Sequence, residues 1–375
     1  MEKVLIPFVS IKPTHATIYC RLEGSGGSSI SPGVIADNSF NSKTEIDQDN
    51  EKRPGQEKAA TASNVTGFTL SEKSRKKLTT SINWLTLYSQ KKKVYHADKK
   101  HSFKFKVNFV TLTLPTLQRH FDTTIKKKLL NGFLTELREK YQVRNYAWRA
   151  ECQKNGSIHF HIITDSFINA FALRRLWNKK LELLGYISGY KEKFQDLDYS
   201  EYCEILNCQN PADYENANRA YAYGKKTNWN NPNTTDVHSV SKIKNLAAYV
   251  SKYMAKRSPQ KTNNTTRTVQ DRRLSGRLWG CSTSLSRLKT CVDFYSGNMQ
   301  RAIDKAIDSR KYHVIKEKYF TCVCIAITEL IALNKSFFGN YLVDFAKEMD
   351  YRPVQQPPKG YYFDKSLYYD IPSIN

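Results

Sequence analysis

The segment Ile158-His159-Phe160-His161-Ile162 constrains this chain more than any other. Side chains on a strand point to opposite faces in turn, so its three apolar residues share one face and its two histidines the other. Tyr146 to Cys152 alternates in the same way: Tyr146, Trp148, Ala150 and Cys152 are the apolar set, with Arg149 and Glu151 opposite. The two apolar sets fall on one side only if Ala150 stands opposite Phe160 and Trp148 opposite Ile162. Glu151 then faces His159, and the connection becomes Lys154-Asn155-Gly156, a three-residue turn with glycine in the left-handed position. A two-residue Asn155-Gly156 turn would bring Cys152 opposite His159 and break the apolar face. The pattern therefore predicts a hairpin with Glu151, His159 and His161 clustered on its polar face.

Two imidazoles and one carboxylate leave open positions on a divalent metal, as required if a substrate oxygen is to bind. Mg²⁺ or Mn²⁺ would suit a phosphate substrate, and the histidines lean toward Mn²⁺. The expected cofactor is one of these two ions.

The elements around the hairpin predict an α+β fold, a central antiparallel sheet flanked by helices. Asn108 to Leu114 is β-rich and alternating, and Pro115 ends it. Thr123 to Tyr141 carries Ile125, Leu129, Phe133, Leu137 and Tyr141 at a spacing of four, an amphipathic helix. Further helices are expected from Ser71 to Leu85, Asn169 to Leu184 and Lys242 to Lys256. Residues 208–235 are polar and Asn-rich and read as a long loop, as do 257–272. Residues 23–66 are rich in Gly, Ser, Asn, Asp and Glu, so 1–66 is taken as a flexible, disordered N-terminal extension. Domain boundaries are expected at 67–290, with a C-terminal α/β tail at 291–375.

On a helix through Lys242–Lys256, residues Ile243, Leu246, Ala247, Val250 and Met254 form the buried stripe. Tyr249 and Tyr253 sit together on one flank, with Lys252 and Lys256 farther round toward solvent. A phenol is a weak nucleophile at neutral pH, and a neighbouring ammonium favours its phenolate and can hold a phosphate oxygen. Lys252 is placed for either role.

Composition favours a polyanionic partner. The chain has 375 residues, 59 Lys and Arg against 35 Asp and Glu, and a formal net charge of +24. Its 23 Tyr and 18 Phe, interleaved with basic residues, suit single-stranded nucleic acid, whose bases stack on such rings. No CxxC pair occurs among the eight cysteines, which read as free thiols in a reducing cytosol rather than zinc ligands. Pro7 and Lys12 interrupt the apolar N-terminal stretch, against a signal peptide. Phe320 to Leu333 is too short to span a bilayer and reads as core.

These residues resemble the HUH endonucleases, which carry His-hydrophobic-His on a central strand and a Tyr-x-x-Lys-type helix beside it, on a sheet like that of an RRM domain. Their replication initiators have an upstream strand similar to Phe109-Val110-Thr111-Leu112-Thr113-Leu114-Pro115. The doubled Tyr249-x-x-x-Tyr253 looks like the two-tyrosine branch, which includes gene A-type initiators of small single-stranded DNA phages and similar plasmid proteins. The resemblance covers roughly residues 65–290. It implies a rolling-circle replication initiator that nicks one strand of origin DNA, with a 5′-phosphotyrosine link, a free 3′-OH and later rejoining. Tyr249 matches the first nucleophile, Tyr253 the second, and His159 and His161 the metal pair, with Glu151 as third ligand. Arg149, Thr111, Thr113 and Lys256 are expected to contact DNA. No G-x-x-x-x-G-K-[ST] occurs, so a host helicase would unwind the duplex and a host polymerase would extend the primer, in the host cytoplasm and without a membrane.

Rivals within the same chemistry are a mobilisation relaxase, which usually has a third histidine in its metal motif, and an HUH transposase, typically shorter with one tyrosine. A non-catalytic nucleic-acid-binding protein would tolerate loss of both tyrosines. A metal-dependent hydrolase using water would need the cluster but not the tyrosines.

Overall fold

A computed structural model of the chain describes residues 5–22, 70–89, 92–96, 102–153, 155–240, 274–288, 290–352 and 361–364. Tyr249, Lys252, Tyr253 and Lys256 lie outside the described residues, as do the expected helix Lys242–Lys256, the loop 257–272, residues 23–66 and Lys154.

In chain order the elements are β1 (Leu5–Lys12), β2 (His15–Leu22), α1 (Glu72–Tyr88), β3 (Lys92–His96), β4 (Ser102–Phe105) and β5 (Val107–Leu112). A continuous helical run follows: α2 (Asp122–Thr124), a π-helical stretch (Ile125–Leu130) and α3 (Asn131–Tyr141). Next come β6 (Tyr146–Cys152), β7 (Ile158–Thr164), α4 (Ala170–Glu182), α5 (Tyr186–Phe194), α6 (Tyr199–Ile205), α7 (Pro211–Lys226) and β8 (Thr235–Val240). The chain ends with β9 (Trp279–Cys281), α8 (Thr283–Arg287), β10 (Cys291–Phe294), α9 (Gly297–Asp308), β11 (His313–Lys316), β12 (Phe320–Cys324), α10 (Ile327–Leu333), α11 (Lys335–Glu348) and β13 (Tyr361–Asp364). The expected α+β class holds. The chain divides into two units, Leu70–Leu288 with Met349–Asn375, and Met1–Thr69 with Lys289–Glu348.

In the first of these, five antiparallel strands form a sheet in the order β8-β5-β7-β6-β9. The β6–β7 register sets Trp148 opposite Ile162, Ala150 opposite Phe160 and Glu151 opposite His159, the pairing the apolar pattern requires. Beyond it, Gln153 N–H donates to Ser157 O at 2.8 Å, and Gly156 adopts φ +82°, as the three-residue connection demands. One face of the sheet is the core. Val110, Leu112, Trp148, Ala150, Phe160 and Ile162 pack there with Ile125, Leu129, Phe133, Leu137, Leu173 and Trp177 from the helices. Phe133 and Phe160 both meet Trp177 edge-on, at 5.4 and 6.2 Å between ring centroids. Each such ring withdraws roughly 150–250 Å² from water, which is why this face, and not the histidine face, takes those helices. On the other face α1 lies against the β6–β9 edge, where Ser81 Oγ approaches Cys281 Sγ at 3.9 Å. A second sheet of the same unit has the order β13-β3-β4.

The run from Thr123 to Tyr141 departs from the single α-helix expected. A residue every four drifts about 40° per step on an ordinary α-helix. The π-helical stretch, in which Asn131 N–H reaches Lys126 O, widens the turn and keeps Ile125, Leu129 and Leu130 all buried. Residues 208–235 contain the helix α7 instead of one long loop. Asn210 caps it by accepting from Asp213 N–H at 3.0 Å, and Pro211 occupies its first turn. Helices α5 to α7 enclose an aromatic cluster of Phe194, Tyr202 and Trp229, flanked by Tyr190 and Tyr221.

In the second unit the sheet order is β10-β1-β2-β12-β11, again antiparallel. Residues 5–22, placed by composition in a flexible extension, form a hairpin inside this sheet. Val9, Ile11, Ala16 and Val323 are fully buried on one of its faces.

Candidate metal centre

Alternation from the apolar face brings Glu151, His159 and His161 together on the opposite side of β6 and β7. Their ligand atoms all lie within 4.8 Å of one another. Glu151 Oε2 stands 3.5 Å from His159 Nε2 and 3.3 Å from His161 Nε2, and the two imidazole centroids are 4.6 Å apart. Donors that share a metal at about 2.0–2.2 Å are themselves about 3–3.5 Å apart, so this spacing and this donor set fit a small divalent cation. The two histidine side chains keep 16% of their surface and Glu151 26%, which leaves the cluster partly open to an incoming ligand.

Neighbouring side chains hold each ligand. Glu151 Oε1 accepts from Arg149 Nη2 at 2.9 Å, so its second oxygen is the one presented to the histidines. Thr111, opposite His161 across the β5–β7 pair, places Oγ1 3.1 Å from His161 Nδ1. That contact aims Nε2 at the cluster. The ring of Phe109 stacks on His161 at 5.3 Å and 24° between planes.

The electrostatics suit a metal. Burial works to raise the Glu151 carboxyl, but hydrogen bonds from His159 and His161 and the Arg149 charge outweigh it, and the group is held well below the usual carboxylate range. Burial is the main cause that pushes His159 down, aided by the charges of His161 and Arg149 and opposed by Glu151. A carboxylate that stays ionised beside an imidazole that stays neutral is the protonation pattern a divalent cation needs.

Three expected DNA contacts have other work in the structure. Arg149 is 6% exposed and its guanidinium pairs with Glu151, so it orients a ligand. Thr111 is engaged with His161. Thr113 lies just past β5, and its hydroxyl donates to Thr234 O at 3.2 Å. Sequence reasoning missed the supporting roles of Thr111, Phe109 and Arg149. Those of Thr111 and Phe109 depend on β5 lying beside β7, which no local pattern specifies. For Arg149 a signal existed, since it shares a face with Glu151 two residues on.

The fold and this cluster define an antiparallel-sheet protein with a candidate metal centre on its less covered face. Residues 107–258 match the model of a family of replication-associated proteins, those of the ORF2 and gene 2 protein type. The match takes in β5, the metal cluster and the sequence positions Tyr249, Lys252 and Tyr253, and it supports a rolling-circle replication initiator. Proteins of this kind act on origin DNA and are generally nicking endonucleases that use a divalent metal. No curated protein and no solved structure matches the chain. Among the described residues no helix is long and apolar enough to cross a membrane.

Proposed function

We propose that the chain is an origin-nicking strand transferase of the HUH type, with the two-tyrosine arrangement. The observation that carries the reading is the convergence of Glu151, His159 and His161 within the stretch that matches the replication-associated family. These three residues would hold Mg²⁺ or Mn²⁺. The ion, when bound, supplies Lewis-acid polarisation of the scissile phosphodiester. The Tyr249 phenolate oxygen attacks phosphorus, the P–O3′ bond breaks, and the 3′-oxygen takes a proton to leave as a 3′-OH. The 5′-phosphate stays on tyrosine as a phosphodiester, so a later 3′-OH can reverse the step and rejoin ends. Lys252 favours the phenolate and neutralises a phosphate oxygen. Tyr253 serves as the second nucleophile. Lys256 adds a contact to the DNA backbone, and unwinding and extension fall to a host helicase and polymerase in the host cytoplasm.

The test is denaturing gel electrophoresis of end-labelled single strands tiled across the chain's own replicon, with Mn²⁺ or Mg²⁺. The expected result is a protein-sized shift that survives SDS, needs metal, and disappears with Tyr249→Phe plus Tyr253→Phe. Cleavage without covalent attachment would make water the nucleophile. Binding without cleavage across the whole set would leave a non-catalytic DNA-binding protein.

A further inference from the structure

The loop that follows β5 carries two large apolar side chains in water: Leu117 is 66% exposed and Phe121 82%. Neither contributes to the core. Phe121 is the N-cap residue of α2 and makes no side-chain capping bond there, a position where Ser, Asp or Asn would stabilise the helix. The loop itself is well held. Gln118 N–H donates to Ser157 Oγ at 3.2 Å, Ile158 N–H donates to Gln118 Oε1 at 2.7 Å, and Gln118 Nε2 donates to His120 O and Asp122 Oδ1 at 2.7 and 2.8 Å. Arg119 N–H donates to the Tyr186 hydroxyl at 3.1 Å, and its guanidinium lies over the Tyr186 ring. The two apolar side chains are thus presented on a fixed frame.

That frame is anchored one residue before His159, through Gln118 and Ile158. A strand that leaves the metal cluster over this end of the sheet meets the loop first. Its surroundings are basic: Arg119, Lys127 and Lys128 are exposed, and the nearby Asp122 is buried, with its oxygens accepting from Gln118 and from Ser275 N–H at 2.9 Å. Arg119 and His120 also line a cleft of about 490 Å³ with Ser188 and Glu192.

We propose that Leu117 and Phe121 form a stacking platform for bases of single-stranded DNA beside the metal centre, with Arg119, Lys127 and Lys128 tracking its phosphates. The inference rests on the nuclease reading and assigns that site part of its substrate contact. An apolar face can receive any base, so the platform fixes the path of the strand and not its sequence. The two classes of contact separate experimentally: loss of stacking lowers affinity at every salt concentration, whereas loss of a phosphate contact also flattens the salt dependence.

The experiment uses the full chain and fluorescein-labelled oligothymidylate, read by anisotropy over a range of salt. Phe121→Ser is expected to hold or raise thermal stability, because it supplies an N-cap, yet to weaken binding about tenfold with the salt slope unchanged. Phe121→Trp should bind as the wild type does. Lys127→Ala with Lys128→Ala should lower the slope. Wild-type affinity in Phe121→Ser, alone and with Leu117→Ala, would overturn the platform and leave the nuclease reading intact, and would turn the loop into a candidate contact for a host protein. A wild-type chain that does not bind oligothymidylate at all would overturn both.

Discussion

Thr111 is a single hydroxyl that decides which nitrogen His161 offers. With Thr111→Val the ring loses its Nδ1 partner while the strand keeps a β-branched residue of the same shape. Mn²⁺ affinity is expected to fall about 10- to 100-fold with little change in folding, measured by isothermal titration. Arg149 acts differently, because it is buried. Arg149→Met should destabilise the chain by roughly 3 kcal/mol in urea unfolding, since it leaves the Glu151 carboxylate without its guanidinium partner. His159→Ala is expected to abolish metal-dependent cleavage while sparing most DNA affinity, which gel-shift titration would report. Much of the site at this scale was legible in the sequence. The alternation in 146–152 and 158–162 dictates the register, and the register dictates the cluster. What could not be read was the support from β5, because contacts between strands about 50 residues apart leave no local periodicity.

Elements were legible where one face is apolar and obscure where it is not. Helix α7 buries only Ala217 and Gly224, so it has no stripe to find, and its polar sequence reads as a loop. Its start was written in Asn210, Pro211 and Asp213, signals that composition overrode. At its end Gly224 leaves room for the Trp229 ring, and a Cβ there would come 2.3 Å from Trp229 Cζ3. Gly224→Ala should therefore cost roughly 2 kcal/mol and lower the near-UV circular dichroism of the α5–α7 aromatic cluster. A charge network ties α3 to α4, since Glu136 pairs with Lys140 and, at 2.7 Å, with Lys180. Hydrogen bonds from Lys140 and then Lys180 pull the Glu136 pKa down to about 2. A folded-state pKa below the unfolded one contributes stability above the unfolded value, and that contribution is lost as pH falls from about 4.5 toward 2. Urea midpoints at about pH 6 and about pH 3 should differ more for the wild type than for Glu136→Gln.

The whole molecule carries a net charge of +24. Its affinity for DNA should fall steeply with salt, linear in a plot of log K against log salt concentration, and a flat line would remove the case for phosphate contacts as the main source of binding. Composition was a sound guide to this polyanion preference and a poor guide to layout. It hid the N-terminal hairpin, because Leu5–Leu22 carries no strong pattern alone and becomes part of a sheet only beside β10 and β12.

That pairing sets an order of events during synthesis. The neighbours of β1 and β2 on either side are Cys291–Phe294 and Phe320–Cys324, so this hairpin leaves the ribosome long before its partners do. At typical elongation rates the delay is roughly tens of seconds. Through that interval two strand edges stand open while the residues between them are still being made. A nascent chain stalled after Leu288 should therefore bind holdase chaperones through residues 5–22, and one released after Glu348 should not.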